Sequence, residues 1–246
     1  MPNGVLLLLA HPDDESFMIA GTSRLLADRG VRVALVCATR GDLGSAGDPP
    51  LATRDALPAL RERELRAACA ILGVAHVDLL DYHDQKLAAA PIDAIRLALV
   101  RAIRRERPRV VVTFDPHGVT GHTDHVAISG FTLDAVTAAA DDRWLPEAGP
   151  AHRVARVVWP APVVPWEEWR PDVIGTLPGV DFMVDVSRAR EAKAAALRAH
   201  RTQHLSVDRH WFAHAESDAI LSTETFRLAW GQAPTVRPAP DLLEGL

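Results

Sequence analysis

Lysine is almost missing from this chain: of its 27 basic residues only Lys86 and Lys193 are lysines, and arginine supplies the rest. That reads as compositional bias rather than function. Cysteine is nearly absent too. Cys37 and Cys69 fall in a strand pattern and a helix pattern, so buried free thiols are expected and a disulfide framework is not supported. No run approaches the roughly 20 apolar residues that cross a bilayer. The apolar stretch 5–10 is too short for a secretory leader and lacks a basic flank. A cytoplasmic protein without a membrane span is the expectation. The net charge of -5 leaves no electrostatic footprint for nucleic acid. A Gly-x-Gly-x-x-Gly is missing after the first apolar run, and with it the phosphate cradle of a dinucleotide site.

What is present is a large apolar fraction, 48% of 246 residues, enough for a sizeable core. Buried-strand runs at 5–10, 31–37, 77–80 and 110–114 alternate with helical patterns at 15–28, 55–72, 91–105 and 124–140. The pattern at 55–72 places Leu57, Leu60, Leu65, Ala68, Cys69 and Leu72 on one face and stops at Gly73. This rhythm predicts an α/β fold: a Rossmann-like, mostly parallel twisted sheet with helices on both faces. Beyond residue 150 the pattern weakens to a strand at 154–159, a Pro- and Trp-rich rim over 159–178, an edge strand at 181–186, and a helix from Ser187 to about 204. No repeat or composition shift marks a boundary. One domain over 1–246 is expected, its motifs within about 1–140 and residues 150–246 completing the sheet and the pocket rim.

The strongest chemical signal is His11-Pro12-Asp13-Asp14-Glu15, directly behind the first strand pattern. Open α/β sheets place their sites at the carboxyl ends of strands. A histidine bunched there with adjacent carboxylates is costly unless a cation holds them. A second cluster, His122-Thr123-Asp124-His125, follows the strand pattern at 110–114 and its loop. Catalytic zinc usually takes three protein ligands and leaves a position for water. His11, Asp14 and one histidine of the second cluster would make such a site. Spacing alone does not choose between His122 and His125, since i and i+3 share a helix face. Asp13, adjacent to Asp14, diverges from the same ion and is placed to accept a proton. A bare helix cap with an acidic first turn explains one or two acids, but neither the histidine nor the second cluster.

These blocks together resemble the LmbE-like (PIG-L-like) family of metal-dependent N-acyl-amino-sugar deacetylases. Further matching blocks are Thr39-Arg40-Gly41-Asp42, Arg61-Glu62-Arg63-Glu64-Leu65, and, more weakly, Lys193 with His200-Arg201-Thr202-Gln203. The resemblance implies Zn2+, with Fe2+ compatible, held by His11, Asp14 and His125. It implies Asp13 as general base, His122 as oxyanion stabiliser or acid, and Asp124 as the group orienting His122. Arg61 and Asp84 fall where relatives contact the sugar. The implied reaction is removal of an N-acetyl group from an amino sugar or its conjugate by a metal-activated water. The implied partner is that small molecule, and a homo-oligomer is compatible. One departure is Thr120, where the thiol-cofactor branch often carries tyrosine. Rival readings are an amidase acting on a thiol-sugar conjugate and a non-catalytic metal- or sugar-binding protein. For Arg61, a helix ion pair with Glu64 competes with a role at the site. For Asp84 the competitor is turn chemistry, and for His200 and Gln203 a plain polar helix face.

Overall fold

The computed structural model describes residues 4–161 and 179–246. Seven strands, β1 (Gly4–Leu9), β2 (Val33–Thr39), β3 (His76–Tyr82), β4 (Pro108–Val112), β5 (Arg156–Pro160), β6 (Phe182–Asp185) and β7 (Thr223–Gly231), form one sheet. Its order is β3-β2-β1-β4-β5-β7-β6. β1 to β5 are parallel, and β7 runs antiparallel to β5 and β6. Every residue of β1 and β2 is buried, as central parallel strands covered on both faces require. From β1 the chain winds outward to β3, then crosses back to place β4 on the other side of β1. Right-handed crossovers in opposite directions put the helices on opposite faces. Ala20–Asp28, Leu57–Leu72 and Arg190–Ala199 pack together, and Ile92–Glu106 packs on Thr123–Ala139. The strand order reverses between β1 and β4, and a crevice opens at their carboxyl ends. Both thiols are free and buried. Among the described residues no helix is long and apolar enough to cross a membrane.

The α/β fold read from the sequence is the one observed, and Gly73 (φ 73°) ends its helix as expected. Three local readings differ. The helix expected at 15–28 is two helices, Asp14–Met18 and Ala20–Asp28, broken at Ile19. The break creates a new N-terminus, and the buried Glu224 of β7 fills it. Glu224 accepts the amides of Gly21 (2.9 Å) and Thr22 (2.8 Å) and pairs with the buried Lys193 at 3.0 Å. Second, β7 itself has no counterpart among the sequence-derived strands. It carries Glu224 inward and Arg227 outward and shows no continuous apolar run. Third, Ser187 does not cap a long helix. Its amide bonds Asp185, and Arg190–Ala199 ends before His200, which leaves the helical region.

Arg104, buried on Ile92–Glu106, donates to the carbonyls of Ala138, Ala139, Asp141, Trp144, Leu145 and Gly149. These include the last-turn carbonyls of Ala138 and Ala139 on the neighbouring helix, which also accept the amides of Asp141 and His152. Arg104→Ala is expected to cost about 3 kcal/mol, because six carbonyl acceptors lose a charged donor at once. In a chain of this size that lowers Tm by roughly 6–12 °C. A thermal melt unchanged within two degrees would contradict it.

Candidate active site

β1 ends at Leu9 and delivers His11 and Asp14 to the crevice; the connection after β4 delivers His122, Asp124 and His125 at the start of Thr123–Ala139. Asp14 Oδ2 accepts the amides of Ala10 (3.1 Å) and His11 (2.7 Å). Its Oδ1 faces His125 Nε2 at 3.3 Å. His11 Nδ1 lies 3.1 Å from His125 Nε2 and 3.7 Å from Asp14 Oδ2. The far side of each ring fixes its tautomer. His125 Nδ1 meets the carbonyl of Gly118 at 3.0 Å, and a carbonyl only accepts, so Nδ1 carries the proton. His11 Nε2 meets Asp124 Oδ2 at 3.2 Å and donates to it likewise, with Asp84 Oδ1 at the same distance. The two facing nitrogens are then left without a protein donor of their own, with a carboxylate oxygen beside them. Three acceptors so close repel unless a proton on His11 or a metal cation sits among them. Four donors at zinc bond lengths stand about 3.3 Å apart in a tetrahedron, and the spacing here matches. Ring protons handed to a carboxylate and a carbonyl are the usual support of metal-ligating histidines. The donor set therefore fits a divalent metal.

Two other groupings bring donor atoms within 4.8 Å of one another: His11 with His122 and His125, and His11 with Asp84 and Asp124. His122 has one nitrogen committed, since its Nδ1 accepts the Asp124 amide at 3.1 Å and caps the helix. Asp124 is saturated by the amides of Gln85 (2.6 Å) and Leu87 (3.0 Å) together with His11. The resemblance put Asp124 behind His122; its carboxylate instead lies behind His11. Because His122 Nδ1 accepts, its proton is on Nε2, and the ring is a neutral donor rather than an imidazolium.

The electrostatics follow from this packing. Burial lowers the His11 pKa, but Asp124, Asp84 and Asp14 overcome it and raise the imidazole to about 10. Burial opposes ionisation of Asp14 as well, yet His125 and His11 hold it far below the usual carboxylate range. His125 is lifted by Asp14 against its own burial. His122 is pushed down by burial and by its two histidine neighbours. Asp13 is raised to about 6, mainly by burial, against the pull of Arg61.

Asp13 stands beside this cluster at φ 123°, ψ -29°, a conformation L residues rarely adopt and one that concentrates at functional sites. Val119, at φ 61°, is a second strained residue on the crevice wall. Arg61 is buried beneath Asp13. It donates to Asp13 Oδ2 (3.1 Å), the Gly41 carbonyl (3.1 Å) and the Pro12 carbonyl. Gly41, at φ 62°, is required there, because a Cβ would overlap the guanidinium. Arg61 thus supports the loop and the carboxylate as well as lining the crevice. No Arg61–Glu64 pair forms among the described residues; Glu64 takes the amide (2.9 Å) and hydroxyl (2.6 Å) of Thr202. Asp84 lines the crevice, and the amide of Asp84 is held by Asp42 at 2.9 Å, which gives the second sequence block its role. Arg40 pairs with Asp81 and Glu62 at the surface.

The crevice encloses about 320 Å³. The His/Asp cluster lines one end, and Phe17, Met18, Val119 and Trp211 line an apolar wall. Thr120 and Gln203 also face it. Trp211, edge-on to Phe17 at 5.9 Å, was not legible in sequence: the adjacent pair Trp211-Phe212 in an irregular helix gives no periodic pattern. Two other tryptophans are elsewhere. Trp144 lies under the Arg96 guanidinium at 5.2 Å, Trp159 is on β5, and Trp166 and Trp169 fall outside the described residues.

Comparison with known proteins gives the family and the fold. Residues 6–136 match the family model "PIG-L: GlcNAc-PI de-N-acetylase". The chain is 34% identical to a Streptomyces avermitilis 1D-myo-inositol 2-acetamido-2-deoxy-alpha-D-glucopyranoside deacetylase, covering 98% of this chain and 97% of that protein. It is 32% identical to a Bacillus cereus protein named "Probable N-acetyl-alpha-D-glucosaminyl L-malate deacetylase 2", over 82% of this chain and 84% of that one. The fold matches the N,N'-diacetylchitobiose deacetylase of Pyrococcus horikoshii with a TM-score of 0.72 at 23% identity, over 92% and 83% of the two chains.

Proposed function

The chain belongs to the PIG-L (GlcNAc-PI de-N-acetylase) family, and from that premise we propose a metal-dependent hydrolase that removes the N-acetyl group of a glucosamine-type sugar conjugate. The observation that carries the reading is the convergence of His11, Asp14 and His125 on one point beside a strained carboxylate, Asp13. His11 Nδ1, Asp14 Oδ1 and His125 Nε2 are the proposed ligands. Zn2+ suits this His2Asp set, and Fe2+ is compatible with it. A divalent ion there supplies Lewis-acid polarisation of the amide carbonyl and a water of lowered pKa.

Asp13 accepts the proton of the attacking water as the new C–O bond forms. His122 Nε2–H donates to the carbonyl oxygen as negative charge builds on it, and needs no charge of its own to do so. The C–N bond then breaks, and protonated Asp13 returns its proton to the departing amine. The free amino sugar and acetic acid result, and the acid gives its remaining proton to solvent to become acetate. Asp124 and Asp84 fix His11, and Arg61 holds Asp13 in place. Asp13 also argues against a binding-only protein, which needs no spare carboxylate beside its ligands.

The test is amine release from N-acetylglucosamine as the free sugar and as inositol-, malate-, lipid- and glycopeptide-linked conjugates, with metal content measured on the same sample. Turnover lost on chelation and restored by Zn2+ or Fe2+ is expected. Reconstituted protein that binds no metal would sink the reading; the preferred conjugate identifies the substrate.

A further inference from the structure

Asp13 keeps its unfavourable backbone only because its surroundings hold it there. Its carbonyl accepts the amides of Ser16 (2.9 Å) and Phe17 (3.0 Å), and its own amide donates to Glu15 Oε2 at 3.1 Å. The Glu15 carboxylate is wholly buried. Its second oxygen accepts from Ser16 Oγ (2.5 Å) and from His200 Nε2 (2.7 Å), and His200 is buried to the same degree. His200 comes from the C-terminal end of Arg190–Ala199, 185 residues away in sequence.

A buried ion pair is a poor way to gain stability, since two hydrophobic residues often do as well. What hydrophobic residues do not provide is an acceptor for the Asp13 amide. We infer that Glu15 and His200 are positioning residues. His200 fixes the Glu15 carboxylate, and Glu15 holds the Asp13 amide, so that the Asp13 side chain faces the point where His11, Asp14 and His125 converge. The inference rests on Asp13 being the base. It adds that the C-terminal segment, outside the part of the chain matched by the family model, sets that base.

The experiment is a set of variants in the full-length, metal-loaded protein. His200→Leu is expected to lower kcat by about 100-fold, the scale of a small misplacement of a catalytic group. KM should stay within about twofold and metal stoichiometry should be unchanged. Hydrogen exchange of the peptide spanning residues 11–17 should accelerate. His200→Gln, which keeps a neutral donor, should recover most of the rate. In an Asp13→Asn background His200→Leu should cost less than about threefold, because residues acting through one another are not additive.

Should His200→Leu fold poorly, the paired variant Glu15→Leu/His200→Leu removes the stranded charge. It should restore the melting temperature and still show the low kcat. An equal loss in both backgrounds, loss of metal, or an unchanged kcat overturns the inference. An Asp13→Asn enzyme of near wild-type rate overturns the underlying assignment of the base instead, and this proposal with it.

Discussion

Asp13→Asn is expected to lower kcat by about 10³-fold with metal content unchanged, within the range that a positioned acid–base group contributes. Asparagine is the sharp substitution here because it changes little else. It tolerates positive φ better than most residues. Its amide oxygen still accepts from Arg61, and its backbone N–H still reaches Glu15. Only the capacity to take a proton is lost. A pH signature accompanies it. Burial raises Asp13 to about 6, and a neighbouring divalent ion lowers it again. The base works ionised, so kcat/KM should rise with pH along an acid limb centred no higher than about pH 6. In Asp13→Asn that limb should vanish from the residual rate. A variant retaining more than about a tenth of wild-type kcat, or one whose loss tracks missing metal, would show that the proton goes elsewhere.

The sequence exposed the two clusters that the fold brings together, because each is local to one strand end. His11 to Asp14 and His122 to His125 are short blocks, and an apolar run precedes each. The topology that brings β1 beside β4 follows from the strand–helix alternation. What stayed hidden depends on contacts across the chain. Nothing in 122–125 says that the Asp124 carboxylate turns toward His11, 113 residues back; adjacency suggested His122. Arg61 looked like a ligand of the sugar or a partner of Glu64, because its real partners are two backbone carbonyls and a carboxylate from other segments. β7 was invisible because its buried Glu224 breaks the apolar pattern. That same glutamate explains why the first helix is interrupted. His200 read as part of a polar helix face, whereas the helix stops before it and turns the ring inward.

Asp14→Ala should abolish metal binding and turnover together, and it should also remove a proton-release signal. In the metal-free protein His11 is raised to about 10 by its carboxylate neighbours, so at pH 7 its ring is protonated on both nitrogens. A metal ion bonding to Nδ1 must displace that proton. Zn2+ uptake by the wild type at pH 7 should therefore release about one proton, read by calorimetry in buffers of different ionisation heat, and apparent affinity should weaken as pH falls. Metal at about 1,000 times Kd adds about 4 kcal/mol of stability, a rise in Tm of roughly 8–16 °C for a chain of this length. In Asp14→Ala the anionic ligand is gone and the amides of Ala10 and His11 lose their acceptor. Neither the calorimetric signal nor the Tm shift should survive. Asp124→Asn should behave differently: it keeps all three ligands but weakens the support of His11, so affinity should fall about 10–100-fold without being lost. Full metal occupancy in Asp14→Ala would show that the ion is held elsewhere. A complete loss in Asp124→Asn would move that aspartate from the support of a ligand to a ligand.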